Sequence, residues 1–231
     1  MFFANRVQAG RKLALRLRRY ADREDVIVLA APRGGVPVAF EIASALGLPL
    51  DVFMLRKLGV PGNEELAFGA IATGGVRVLD RNTIEALGLT GLDIERVTRS
   101  EALELERRER TYRGARSPLN VSGLTVILVD DGIATGSSMR AAIRALREMK
   151  PAALVIATPV APRSTCDRLI PEVDELVCLE MPDPFYGVGQ FYYDFSAVSD
   201  DEVNQLLDEA WRRADERRHG QVEATRTGTS R

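Results

Sequence analysis

Short runs of apolar residues, several closed by turns bearing glycine or proline, alternate along the chain with segments whose apolar positions recur every three or four residues. Residues 26–31 (VIVLAA), 125–129 (TVILV) and 153–157 (ALVIA) are continuous, rich in β-branched side chains and read as buried parallel strands. Residues 50–57 (LDVFMLRK) and 175–179 predict two more. Between them, 36–46 and 137–149 carry helical periodicity, and Gly47 is a natural stop for the first. Strands alternating with helices predict an α/β fold with a doubly wound, mainly parallel sheet.

Other segments depart from that rhythm. Residues 66–72 and 76–79 flank Thr73-Gly74-Gly75 and predict a hairpin, while 58–65 (LGVPGNEE) reads as a mobile loop. Residues 90–112 mix both charge signs as a long, solvated helix does, with Gly114 closing it. Near the end, Ser199 and Glu202 form a capping box for a helix to about Arg217, burying Val203, Leu206, Leu207 and Ala210. The polar remainder, 218–231, reads as a disordered tail, leaving a single domain over residues 1–217.

The first twenty residues are rich in arginine and free of acids, as transit peptides are. Phe3, Val7, Gly10, Ala14 and Leu17 nevertheless recur at helical spacing, which favours a first packed helix.

Composition narrows the chemistry. With 231 residues and 45% of them hydrophobic, the chain can build a full core, and no apolar run approaches the ~20 residues needed to span a bilayer. A soluble, cytoplasmic protein is expected. The formal charge of −2, from 31 basic and 33 acidic residues, supplies no global field for a nucleic-acid backbone. Only the first helix carries a basic stripe (Arg6, Arg11, Lys12, Arg16, Arg18, Arg19), and its charges alternate with core positions. Cys166 and Cys178 have no histidine near them and fit neither a zinc cluster nor a disulfide framework. The sole histidine, His219, falls in the tail, so histidine-based mechanisms are set aside.

The sharpest chemical signal is 126–138, VILVDDGIATGSS: a strand, two acids, then a loop of small and hydroxyl residues opening a helix. A helix N-terminus offers unpaired N–H groups and a positive dipole end, which suits a phosphate. Three residues separate Gly132 from Gly136 and no lysine follows, so this is no Walker A loop; nor is there the third glycine of a dinucleotide fingerprint. Asp130 and Asp131 would repel a phosphate and suit instead the hydroxyls of an attached ribose.

This segment closely resembles the phosphoribosyl pyrophosphate (PRPP) motif of the type I phosphoribosyltransferases. The resemblance implies that Asp130 and Asp131 hold the ribose, and that the loop Gly132, Ile133, Ala134, Thr135, Gly136, Ser137 and Ser138 takes the 5-phosphate. It also implies a pyrophosphate loop after the first strand, where Ala31-Pro32-Arg33-Gly34-Gly35 stands, with Gly34 and Gly35 amides and the Arg33 fork facing the anion. Arg56 and Lys57 look like the basic residues that the family presents to pyrophosphate, and 58–65 like its closing loop. PRGGVPV, RKLGVPGNEELAFGAIA, DDGIATGSSM and GVGQFYYDF together resemble a group of predicted bacterial members with unassigned acceptors, over about residues 5–213.

The activity expected on this resemblance is transfer of phosphoribosyl from PRPP to a nitrogen acceptor, a nucleobase being the first expectation, with Asp130, Asp131 and Lys57 as catalytic residues. Mg²⁺ would be held through PRPP, without a protein cage. Ala134 replaces the acid that 6-oxopurine enzymes carry before Thr-Gly, which disfavours hypoxanthine or guanine; Glu64 or Glu65 could serve as proton acceptor. The hood is expected over 181–198, where 184–195 (PFYGVGQFYYDF) holds six of the fourteen aromatic residues, and Phe185, Tyr186, Phe191 and Tyr192 either stack a base or form a packed corner. The resemblance further implies a homodimer. A PRPP- or nucleotide-sensing regulator, and hydrolysis with water as acceptor, are the alternatives.

Overall fold

The computed structural model describes residues 2–228, apart from the side chains of Glu65 and of 218–228. In chain order the elements are α1 (Arg6–Arg16), β1 (Val26–Ala30), α2 (Gly35–Leu46), β2 (Leu50–Val52), β3 (Leu55–Val60), β4 (Asn63–Ala72) and β5 (Val76–Leu79). Then come α3 (Arg81–Ala86), α4 (Gly91–Arg113), β6 (Thr125–Val129), α5 (Ser137–Glu148), β7 (Ala153–Val160), α6 (Arg163–Leu169), β8 (Glu175–Glu180) and α7 (Asp200–Gly228).

The continuous apolar runs form a five-stranded parallel sheet in the order β2-β1-β6-β7-β8. Successive side chains point to opposite faces, so each run must be apolar throughout. Val28, Ile127 and Val155 meet α1, α2 and α7 on one face; Leu29, Leu128 and Ile156 meet α5 and α6 on the other. The doubly wound α/β expectation is met.

Residues 50–57 do not make one strand. β2 ends at Val52, and the chain leaves the sheet at Phe53 and Met54. There the buried Thr73 hydroxyl accepts the Met54 N–H at 2.9 Å, while the Thr73 N–H donates to the Met54 carbonyl at 2.9 Å. Both polar groups exposed by the bend are thereby satisfied. From Leu55 onward the chain belongs to an antiparallel sheet, β3-β4-β5.

The mobile loop over 58–65 is replaced by the tip of that sheet. Pro61-Gly62 turns the chain, with Gly62 at φ 80°. This is the proline-then-positive-φ pattern of a type II turn. Leu58 and Val60 alternate inward and are buried, which anchors what the polar residues around them suggested was free. The β4–β5 hairpin falls where expected. α4 packs on β3 and β4, and the small sheet stands between α4 and α5.

α4 keeps its solvated character, capped at Thr90 and Asp93 and ended at Gly114. Its last turn is fixed by a buried ion pair, Arg113 with both oxygens of Asp51 at 3.0–3.3 Å. α7 covers the outer edge of the parallel sheet, and its Trp211 indole donates to the Leu50 carbonyl at 2.8 Å. Trp211→Phe keeps most of the ring's packing and leaves that carbonyl unpaired. A loss of about 1–2 kcal/mol is expected, read by chemical denaturation.

The tail needs correction. α7 does not stop near Arg217 but continues to Gly228, because the Glu, Arg, Gln and Ala residues beyond favour helix more than Gly220 opposes it. The remainder of the predicted tail, 229–231, lies outside the described residues, as does Met1. No helix among the described residues is long and apolar enough to cross a membrane.

Candidate active site

Two central strands, β1 and β6, lie side by side and end together, Ala30 beside Val129. The loops that leave them, 31–35 and 130–138, therefore meet at one sheet edge, where ligands of open α/β sheets bind. A cavity of about 650 Å³ opens there. Arg33, Asp130, Ser138 and Met139 line it from the sheet side, Arg56 and Lys57 from β3, and Arg107, Arg108 and Tyr112 from α4, with Asp200 at the start of α7.

The loop over 131–138 is built from outside as well as within. Thr165 Oγ1 of α6 donates to the Ala134 carbonyl at 2.8 Å, and an Arg168 guanidinium donates to the Thr135 carbonyl at 3.2 Å. With these carbonyls turned toward α6, peptide planarity sends the Thr135 and Gly136 N–H groups the opposite way. The amides of Ala134, Thr135, Gly136 and Ser138 have no acceptor among the described residues. Gly136 sits at φ 77°, and a Cβ there would lie 2.9 Å from Thr165 Cγ2. Glycine alone satisfies both conditions. Ile133 does not fit the phosphate role expected of it: its side chain is buried and its N–H donates to the Val160 carbonyl at 2.9 Å, anchoring the loop. Thr165→Val should weaken phosphate binding about fivefold by freeing the Ala134 carbonyl, as measured by phosphate or PRPP titration.

The first loop also differs in detail. The Gly35 N–H donates to the Ala31 carbonyl at 3.0 Å, so it is not free to face an anion. Its glycine is required by packing instead, since a Cβ would lie 2.7 Å from the Val129 carbonyl oxygen. At Gly34 a Cβ would fall 2.0 Å from Asp131 Oδ2, so the two loops touch through this position. The Pro32–Arg33 peptide is cis. Arg33 pairs with Asp200 at 3.7 Å and Arg56 with Glu101 at 2.6 Å, whereas Lys57 has no ion-pair partner among the described residues.

The two acids part company. Asp130 lines the cavity; Asp131 turns away, accepting from Arg6 Nε at 2.7 Å. Burial and the charge of Asp131 push the Asp130 carboxyl well above the usual carboxylate range. Burial pushes Asp131 up too, and Arg6 pulls it back. Tyr112, whose hydroxyl donates to Asp200 at 2.5 Å, is pushed up to about 12 by burial and that carboxylate.

Residues 3–196 match the family model described as the phosphoribosyl transferase domain. The chain belongs to the phosphoribosyl transferase family. Two curated Mycobacterium tuberculosis proteins of this family, "Putative phosphoribosyl transferase Rv0571c" (strain H37Rv) and "Putative phosphoribosyl transferase MT0597" (strain CDC 1551), are each 44% identical to it over 210 residues. The match covers 91% of this chain and 47% of theirs, so the chain spans about half the length of the curated relatives it matches. The crystal structure of TT1426 from Thermus thermophilus is similar at a TM-score of 0.81 and 40% identity, covering 90% of this chain and 99% of that one.

Within this phosphoribosyl transferase fold the aromatic segment is a packed corner. Phe191 and Tyr192 are buried with Phe3, and Phe3 bridges to Tyr192 at backbone level. Phe185 stacks on Phe191, while Tyr186 is exposed. None of the four lines the cavity, so the stacking alternative of the sequence reading is not what the structure displays. The α4 residues Arg107, Arg108 and Tyr112 and the α6 pair Thr165 and Arg168 escaped the sequence reading, and Arg6 figured there only as part of a basic stripe. α4 read as solvated and α6 was not anticipated, while Arg6 lies on a helix that read as packed.

Proposed function

We propose that the protein transfers the phosphoribosyl group of PRPP to a nitrogen acceptor and releases pyrophosphate. One juxtaposition supports this reading. Ser138 in the first turn of α5, Asp130 and the cations Arg33, Arg56 and Lys57 line a single cavity. These are the chemical types that the 5-phosphate, ribose and pyrophosphate of PRPP would meet.

In this mechanism Asp130 accepts from the ribose hydroxyls and favours the positive charge that grows on the ring as the bond from the anomeric carbon to the pyrophosphate oxygen breaks. Arg33 and Lys57 take the growing negative charge of the leaving group. The new bond forms from the acceptor nitrogen to the same carbon, and the acceptor's proton leaves to solvent or a nearby carboxylate. Phe53, Leu128, Met139 and Ala142 provide apolar cover for a flat acceptor such as a nucleobase.

Among the described residues no three histidines, cysteines or carboxylates converge. In this reading Mg²⁺ would be held through the substrate phosphates, with Asp130 the nearby protein oxygen. Bound in that way, the ion would supply charge to offset that of the leaving pyrophosphate, beside Arg33 and Lys57.

The test is pyrophosphate release from PRPP and Mg²⁺ across a panel of free bases and small amines, with a no-acceptor control and Lys57→Gln alongside. Release that requires one acceptor and falls at least tenfold in Lys57→Gln is expected. Equal release without acceptor would replace transfer by hydrolysis, and PRPP binding without release would replace it by sensing.

A further inference from the structure

Arg6 stands at the first turn of α1 and does not line the cavity, yet two segments distant in sequence, the loop at Asp131 and Phe195-Ser196, converge on its guanidinium. Nε donates to Asp131 Oδ2 at 2.7 Å, Nη1 donates to the Ser196 carbonyl at 2.8 Å, and the plane lies 4.0 Å from the centre of the Phe195 ring. The Arg6 and Asp131 side chains are 11% and 13% exposed, unlike the surface pairs along α4.

Asp131 is confined on its other sides as well. Its carbonyl accepts the Tyr192 hydroxyl at 2.6 Å, its N–H donates to Asp130 Oδ1 at 2.9 Å, and its carboxylate occupies the space that a Gly34 side chain would fill. The next residue, Gly132, is covered by Val188. The charged and titratable groups around this carboxylate are thus Arg6 from α1, Asp130 from its own loop and Tyr192 from the aromatic corner; Asp194 flanks Arg6.

We propose that Arg6 is a positioning residue of the ribose site: it holds Asp131 as a strut between the two loops, so that Asp130 alone meets the ribose. This rests on the reading of the cavity as a PRPP site. An ionised carboxylate buried beside a second acid persists when a cation pairs with it. Without Arg6, Asp131 takes up a proton or swings out, and in both cases the brace against Gly34 is lost. Asp130 and the Arg33 loop then lose their common spacing. Lysine at position 6 supplies the charge but lacks the fork that reaches Asp131 and Ser196 together.

The test is a double-mutant cycle read by PRPP calorimetry, paired with carboxyl ¹³C NMR of the ligand-free protein. Arg6→Gln is expected to weaken PRPP binding about tenfold and to move the Asp131 titration to higher pH, with Arg6→Lys in between. In an Asp131→Asn background, Arg6→Gln should add less than twofold. Equal effects of Arg6→Gln in both backgrounds, or an Asp131 titration that does not move, would overturn the proposal. Should Arg6→Gln fail to fold, Arg6→Lys measured against Asp131→Asn carries the same comparison. If the wild-type protein binds no PRPP, the proposed function falls, while the carboxyl titration still decides whether Arg6 governs Asp131.

Discussion

Asp130→Asn should bind PRPP at least about 100-fold more weakly than wild type and yet melt at a higher temperature. The binding loss follows from replacing charge-assisted hydrogen bonds to the ribose, worth about 1.5–3 kcal/mol each, by weaker neutral ones. The stability gain follows from the direction of the Asp130 shift. Burial and Asp131 raise this carboxyl in the folded protein, so folding takes up protons here, and that stabilisation holds at low pH and is lost as pH rises through the folded value. At neutral pH and above, wild type therefore carries a cost that the amide lacks. The variant's advantage should grow from pH 5 to pH 8, each kcal/mol appearing as about 2–4 °C in a chain of this length. The amide oxygen can still accept the Asp131 N–H, so the loop keeps its shape. Calorimetric melts at both pH values, with PRPP titration, check it; a lower melting temperature at pH 8 would show that Asp130 stabilises the fold.

Gly34→Ala is expected to be severe for a purely steric reason. Gly34 lies at φ −60°, ψ −32°, a conformation that alanine adopts freely. Its new methyl would nevertheless fall 2.0 Å from Asp131 Oδ2 and 2.6 Å from Cγ. Arg6 fixes that carboxylate, so the loops at 31–35 and 130–138 must spread. Overpacking of this kind costs about 3 kcal/mol, or roughly 6–12 °C in melting temperature. PRPP affinity should fall more than tenfold, because both loops contribute to one ligand. Gly62→Ala is the comparison. That site has open space and a positive φ, so it carries backbone strain alone, about 1 kcal/mol. Equal melting temperatures for the two variants would contradict a rigid contact between the loops.

The parallel sheet was legible because a strand buried on both faces can be nothing but apolar, and 26–30, 125–129 and 153–160 are close to that limit. The loop over 130–138 was legible as a strand-to-helix turn because its small residues directly follow such a strand. Three features were not. The exchange of sheets at Phe53 and Met54 depends on Thr73, nineteen residues along the chain. The Leu58 and Val60 anchors were outweighed by Gly, Pro and Asn around them, although Pro61-Gly62 was itself a turn signature. Thr165, Arg168 and Arg6 sit on helices at positions where polar residues ordinarily meet water, and only tertiary structure reveals that their partners are loop carbonyls and a buried carboxylate. The aromatic corner was legible as a cluster, but composition could not distinguish stacking on a ligand from stacking on itself.

The docking of α7 gives the molecule an optical gauge of its own. Trp211 is the chain's single tryptophan, its indole held to the edge strand with the Arg116 guanidinium 3.6 Å above the ring. Asp200, on the cavity wall, lies eleven residues earlier on the same helix, about 16 Å along a rigid rod. A ligand that drew Arg33 from Asp200 and tilted the rod would change the field at the indole, so the emission of the unlabelled protein would report events at the far end of α7.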